Sequence, residues 1–183
     1  MSDKAFSEES LRKIAAQKVS FRRTVKLHWS LYIIVNFLLF IINIISINFS
    51  KGFNSIFTFN QEILSHLWVL YVIFGWLIGV FVHTVAYIMY ATGVYPYAKR
   101  SVIFNITAYF TVMLLLTVIN YLTMPQFWWA FYPAVFWGVG IIIHIIVYLL
   151  FFKTKITSEG KIKSKKEIAI EKEIAKMKEK MEK

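Results

Sequence analysis

The sequence predicts an all-α integral membrane protein. Four transmembrane helices form two parallel helical-hairpin repeats, with an amphipathic, basic helix ahead of them and a charged helix behind. Three observations carry this reading: the composition, four long uncharged apolar runs, and an internal duplication. Hydrophobic residues make up 58% of the 183 and charged residues 17%, against about 25% charged in a soluble domain. That leaves too little polar cover for a water-soluble globule. With 7 Gly and 3 Pro, collagen and Pro/Gly-rich disorder are excluded; with no Cys, so are disulfides, thiolate metal sites and cysteine nucleophiles.

The chain opens with a polar, charged stretch, residues 1–21. From about Ser7 to Lys26 it places Leu11, Ile14, Ala15 and Val19 on one helical side. It either runs into the first span or lies on the membrane surface, and its polarity leads us to expect no signal peptide. The four apolar runs are Leu27 to about Asn48, Leu67 to about Tyr90, Val102 to about Leu122, and Phe127 to Phe152. Each reaches the roughly 20 residues of helix that cross a bilayer, and none contains Asp, Glu, Lys or Arg. They are apolar on both parities, which excludes the alternation of a β-barrel and leaves helices. Residues 22–98 and 99–152 make the two membrane repeats, and residues 153–183 a Lys/Glu-rich tail. In the tail, Ile170, Ile174, Met177 and Met181 recur at helical spacing. A solvated helix, a short coiled coil and a lipid-surface helix are all compatible with that pattern.

Lys and Arg count seven, one, two, zero and eleven in the five segments outside the spans. The positive-inside rule then puts both termini in the cytoplasm of a multi-pass cell-membrane protein, as four spans require. The formal net charge of +11 resides mostly in the two tails. Basic flanks beside apolar spans point to anionic lipid at the cytoplasmic face rather than to nucleic acid.

The two hairpins are copies of one sequence. Arg23-Thr24-Val25 matches Arg100-Ser101-Val102, Tyr32 matches Tyr109, and Ile42-Asn43 matches Ile119-Asn120, all at one offset. Trp68, Tyr71, Trp76, Gly79, His83 and Tyr87 match Trp129, Tyr132, Trp137, Gly140, His144 and Tyr148 at a second offset. The longer outer loop of copy one, Phe49 to Ser65, accounts for the difference. Both copies start and end on one side, so they are parallel repeats related by an axis along the membrane normal. A pseudo-twofold four-helix bundle is the expected packing.

His28-x3-Tyr32-x3-Asn36 followed by Ile42-Asn43 resembles the first helix of the 2TM domain. Gly75-Trp76-x2-Gly79-x3-His83 and Trp137-Gly138-x-Gly140-x3-His144 resemble its second helix. The resemblance covers roughly residues 8–152 as a tandem pair. In copy two, Asn105 stands for the His and Met113 for the Asn, so a role needing both histidines does not extend to that copy. The resemblance implies membrane hairpins found alone or attached to signalling modules, and no settled biochemical activity.

His28, Tyr32, Asn36 and Asn43 fall on one face of the first span, and Asn105, Tyr109 and Asn120 on one face of the third. Gly75, Gly79 and His83 share a face of the second, Gly140 and His144 of the fourth. Polar groups in hydrocarbon need partners, so these faces should point inward, and the glycines should let helices approach closely. By depth, His28 belongs beside His83 and Asn105 beside His144, all in the cytoplasmic leaflet.

Three readings of the histidines stand open: packing, ligation of haem or a metal, and sensing of pH or a ligand. As packing groups they bond helix to helix; His83→Asn then costs about 1–2 kcal/mol, and His83→Leu more, by stranding a partner. As ligands, His28, His83 and His144 are the candidates for haem b or a divalent metal in an electron-transfer or sensor protein. No cofactor is expected on the first reading. Trp68, Phe127, Trp128, Trp129 and Phe131 suit the outer interfacial belt, and Tyr90, Tyr95 and Tyr97 the inner one. No nucleophile–base pair, phosphate loop or intramembrane carboxylate pair marks an enzyme or a proton-driven transporter. The function expected is therefore a non-enzymatic membrane module, assembling with itself or with a membrane or cytoplasmic partner.

The topology is testable with single cysteines placed at Ser50, Thr123 and Ser158 in a chain that has none of its own. An impermeant thiol reagent added to intact cells should label the first two and spare the third; labelling at Ser158 would refute the assignment.

Overall fold

A computed structural model of the chain describes residues 8–51, 61–94, 97–156 and 162–181. Four of its helices are long and apolar enough to cross a membrane. The first, α1, runs unbroken from Glu8–Lys51. At 44 residues it is about 66 Å long, at ~1.5 Å per residue, twice what a span needs. The amphipathic N-terminal stretch is thus the continuation of the first span, not a helix on the surface. A short helix α2 (Gln61–Ser65) leads into α3 (Val69–Ala91), followed by α4 (Tyr97–Thr123) and α5 (Phe131–Val147). A π-helical turn, Tyr148–Phe152, prolongs α5.

Helix ends follow from local chemistry. α3 closes on Gly93, whose φ of 73° few other residues adopt. Val94 N–H then bonds Met89 O at 2.8 Å and Gly93 N–H bonds Tyr90 O at 3.4 Å, the paired bonds of a Schellman cap. Pro133 sits in the first turn of α5, where no intrahelical partner exists for its missing N–H.

Beyond the spans, Thr154–Ile156 (β1) pairs antiparallel with Ile162–Ser164 (β2), Lys155 opposite Lys163. The sequence reading had no strand here. β1 sets Thr154 and Ile156 around a lysine and β2 starts with Ile162, β-branched residues that suit strand pairing, but the pattern is too short to register against long helical runs. α6 (Lys165–Met181) follows and is tied back to β2 by Lys163 Nζ to Glu171 at 2.6 and 2.7 Å. Its stripe Ile170, Ile174, Met177 stays exposed.

The spans pack in chain order: α1 on α3, α3 on α4, α4 on α5. Among the described residues no comparable contact joins α1 to α5, so the bundle is open along one side. A pseudo-twofold bundle would have repeated the α3–α4 contact between α5 and α1, and it does not. Lipid tails are as apolar as leucine, so nothing hydrophobic compels that side to close. Contacts along the interfaces, such as Lys18 with Ala91 and Asn43 with His66, make neighbouring spans antiparallel, so that α1 starts and α5 ends at the same end of the bundle. Lys18 Nζ donates to Ala91 O at 3.0 Å and Tyr90 Oη to Gln17 Oε1 at 3.0 Å. These bonds dock the extension of α1 against the end of α3.

At the opposite end Asn120, fully buried, holds the α4–α5 turn. Its Nδ2 donates to Met124 O and Phe127 O, both at 2.9 Å, and its Oδ1 accepts Ala130 N–H at 2.9 Å. Asn43 is the counterpart in copy one: its Nδ2 donates to His66 O at 3.0 Å, and His66 is the residue equivalent to Phe127. Asn120→Ala should strand all three loop groups and cost about 2–3 kcal/mol, read as a lower midpoint in SDS unfolding; Asn43→Ala should cost less, with one such bond at stake.

Candidate functional site: two equivalent polar clusters

Each hairpin carries the same set of cross-helix contacts nearer its terminal end. Tyr32 Oη on α1 donates to Ile73 O on α3 at 3.2 Å, and Tyr109 Oη on α4 donates to Ala134 O on α5 at 3.1 Å. Ile73 and Ala134 are equivalent positions of the repeat. The rings agree too: Tyr32 stands edge-on to Trp76 at 5.8 Å and 83°, Tyr109 to Trp137 at 5.8 Å and 88°. Spacing explains this. Tyr four residues beyond His28 or Asn105 keeps one helix face, and the second helix descends antiparallel beside it.

The clusters differ where the sequences differ. In copy two, Asn105 lies between Trp137 and His144. Trp137 Nε1 donates to Asn105 Oδ1 at 3.0 Å, and Asn105 Nδ2 is 3.1 Å from His144 Nδ1. An indole N–H can only donate, so Trp137 fixes which way the amide points. The amide nitrogen then donates to Nδ1, which places the imidazole proton on Nε2. This is a chain of three polar groups spanning α4 and α5.

In copy one the imidazoles of His28 and His83 face each other, ring centroids 4.6 Å apart and tilted 53°. Phe21 meets His83 edge-on at 5.2 Å and packs on Tyr87 and Tyr90. His28 is exposed, while Nε2 of His83 is buried with no hydrogen-bond partner. Alongside, Trp29 Nε1 donates to Thr84 Oγ1 at 2.9 Å, and Thr84 Oγ1 donates to Val80 O at 2.7 Å. Copy two has Ile106 and Ile145 at the equivalents of Trp29 and Thr84.

The remaining sequence candidates fall as follows. Asn36 is buried, its Nδ2 on Tyr32 O at 2.8 Å within its own helix and its Oδ1 without a hydrogen-bond partner. Gly75, Gly79 and Gly140 do not mediate close approach, since a methyl group at any of them would meet nothing within 4 Å. That role belongs to Gly138, where an added Cβ would touch Tyr109 Oη at 3.4 Å. Sequence reasoning aligned Trp137 with Trp76 but missed its bond to Asn105, which depends on the rotamer. It missed Trp29–Thr84 and Phe21 as well, which have no echo in copy two.

His28, His83 and His144 do not gather: among the described residues no group of three His, Cys, Asp or Glu is placed to hold a metal ion. Nor does the His28–His83 pair fit haem. Two axial nitrogens at ~2 Å from one iron stand about 4 Å apart, with the ring centroids further still, whereas here the centroids themselves are at 4.6 Å. The arrangement suits two helices held together through aromatic and imidazole faces.

A family model, the 2TM domain, matches the chain twice, at residues 13–100 and 95–169. No curated protein and no solved structure is detectably similar to it.

The two clusters should respond oppositely to apolar substitution. Asn105→Leu strands the Trp137 N–H and the His144 imidazole and should cost about 2–3 kcal/mol. His83→Leu strands no hydrogen-bond partner and should stay within about 1 kcal/mol of the wild type, rather than costing more than His83→Asn as it would if the imidazole held a partner. Unfolding of both variants in mixed micelles, followed by tryptophan fluorescence, gives the comparison; a larger loss for His83→Leu would contradict the assignment.

Proposed function

The chain belongs to the 2TM domain family and carries the domain twice, and on that premise we propose that it is a non-enzymatic membrane module. It works by helix assembly, with itself or with a membrane or cytoplasmic partner, its termini in the cytoplasm. The observation that carries the reading is how the intramembrane polar side chains are used. Tyr32, Tyr109, Asn105 and Trp29 each bond across to the neighbouring helix, while Asn43 and Asn120 hold the connections at the other end. Polar groups spent on holding helices together are what an assembly scaffold needs.

The basic tails support the orientation and an attraction to anionic lipid, about 1 kcal/mol per Lys or Arg close to the surface. Lys18, Arg22 and Tyr87 line one recess at the terminal end, and Tyr97, Arg100 and Ser101 another. Both set cations beside tyrosines near the ends of the spans, a combination that supports contact with lipid headgroups.

A second reading, metal sensing at the His28–His83 pair, is favoured by one fact: His83 Nε2 is buried and has no hydrogen-bond partner. Purification in mild detergent separates the two. A colourless, metal-free preparation with a mass above one chain, or with a protein partner in fixed ratio, is the expected result. A Soret band, or bound metal lost in His83→Ala, would overturn the proposal.

A further inference from the structure

We propose that copies of this chain associate head to tail in the membrane, α5 of one against α1 of the next, through surfaces equivalent to those that join the two hairpins. The inference rests on the self-assembly reading above and names its surface.

The duplication supplies each helix with its own comparison. Some positions are buried in both copies: Val25 and Val102, Val80 and Ile141, Val69 and Ala130, Asn43 and Asn120. These lie within the hairpins. Other positions are covered in one copy and open in the other. On α4, Thr111, Leu115, Val118 and Leu122 are buried or half-buried; their equivalents on α1, Ile34, Leu38, Ile41 and Ile45, are all exposed. Leu122 is 3% exposed and Ile45 60%; Thr111 is 7% and Ile34 56%. The spacing of four, three and four residues makes each set one continuous stripe.

The α4 stripe meets α3 and, at its Leu122 end, Leu64 of α2 as well. Leu70 and Phe74 of α3 line an apolar groove together with Thr117, Val118, Tyr121 and Leu122 of α4. The equivalents of Leu70 and Phe74 on α5 are Phe131 and Val135, both exposed. Farther along, Met89 on α3 is 3% exposed and its counterpart Leu150, in the π turn after α5, 57%. Each chain therefore carries the surface pair of the hairpin–hairpin contact twice and uses it once. The unused halves sit on α1 and α5, at opposite edges of the open bundle with two helices between them, so one chain does not join them.

Exposure of an aliphatic stripe by itself requires no protein partner, because lipid covers it at no cost. What selects a second copy is that the same repeat positions already pack helix on helix inside the chain. Direction agrees as well. α3 and α4 are antiparallel, and so are α5 and α1, so the incoming copy keeps the same orientation across the bilayer. The contact is heterologous, joining two different surfaces, and such contacts build rings or filaments rather than face-to-face dimers.

The natural chain has no cysteine, which makes disulfide trapping direct. Two differently tagged full-length chains, one Val135→Cys and one Ile41→Cys, are co-expressed and oxidised in native membranes. Phe74→Cys with Val118→Cys in one chain is the internal control, and Phe110→Cys, on an exposed part of α4, the negative one. A disulfide-linked species bearing both tags is expected, at least tenfold above the Val135→Cys plus Phe110→Cys pair and above either single-cysteine chain with itself. Equal yields across pairs, or a dominant link between two copies of Val135→Cys, would overturn the proposal. An amine cross-linker acting through the lysine tails tells the failures apart. Oligomers with no 135–41 link leave assembly standing and remove this surface; single chains by both methods remove both.

Discussion

Inside hydrocarbon a polar side chain has no water to bond, and this one constraint organises the protein. Each span carries a few Asn, Tyr, His, Thr or Trp side chains among aliphatic neighbours. In the fold Tyr32, Asn43, Asn105, Tyr109 and Asn120 reach a helix or turn next to their own, while Asn36, Thr107 and Thr111 bond back to the helix that carries them. Asn120 satisfies three groups of the turn that follows it, and Asn105 satisfies two side chains of α5 at once. Aliphatic packing then fills in around these points without choosing among faces, because lipid competes with it on equal terms. The buried apolar set is accordingly small and is scattered along the interfaces, while large aliphatic and aromatic side chains cover the outside.

The duplication shows which of these contacts the hairpin depends on. Tyrosine bonding a backbone carbonyl of the partner helix, tyrosine edge-on to tryptophan, and asparagine reaching the lead-in to the second helix occur in both copies with matching geometry. The imidazole position does not: His28 meets His83 in a tilted ring contact, Asn105 meets His144 through a hydrogen bond. Two chemistries at one place, each bridging the same two helices, mark the bridge as the common requirement. What is particular to copy one is the long α1, whose extension brings Phe21 and Lys18 onto the end of α3. That copy's cluster is thereby coupled to the polar extension of its first helix, which copy two lacks.

Much of this was legible without coordinates. The four spans, the tandem pairing of Tyr32 with Tyr109 and Asn43 with Asn120, and the juxtaposition of His28 with His83 and Asn105 with His144 follow from run length, periodicity and antiparallel hairpins. Glycine was misleading, because the spacing of Gly75 and Gly79 says that close approach is permitted, not that a helix is there to approach. The strand pair around residues 154–164 escaped because three residues cannot establish a period.

Composition and periodicity by themselves determined that this chain crosses a membrane as two related hairpins and which face of each span carries its polar groups, since hydrophobic length and the helical repeat are properties of the chain alone. Only the tertiary structure decided which atoms those groups bond, that α1 continues far beyond its span, and that the row of helices stays open between α1 and α5. Those outcomes depend on rotamers and on which of two apolar surfaces a helix meets. A sequence pattern records that a face is apolar; it does not record whether protein or lipid lies against it.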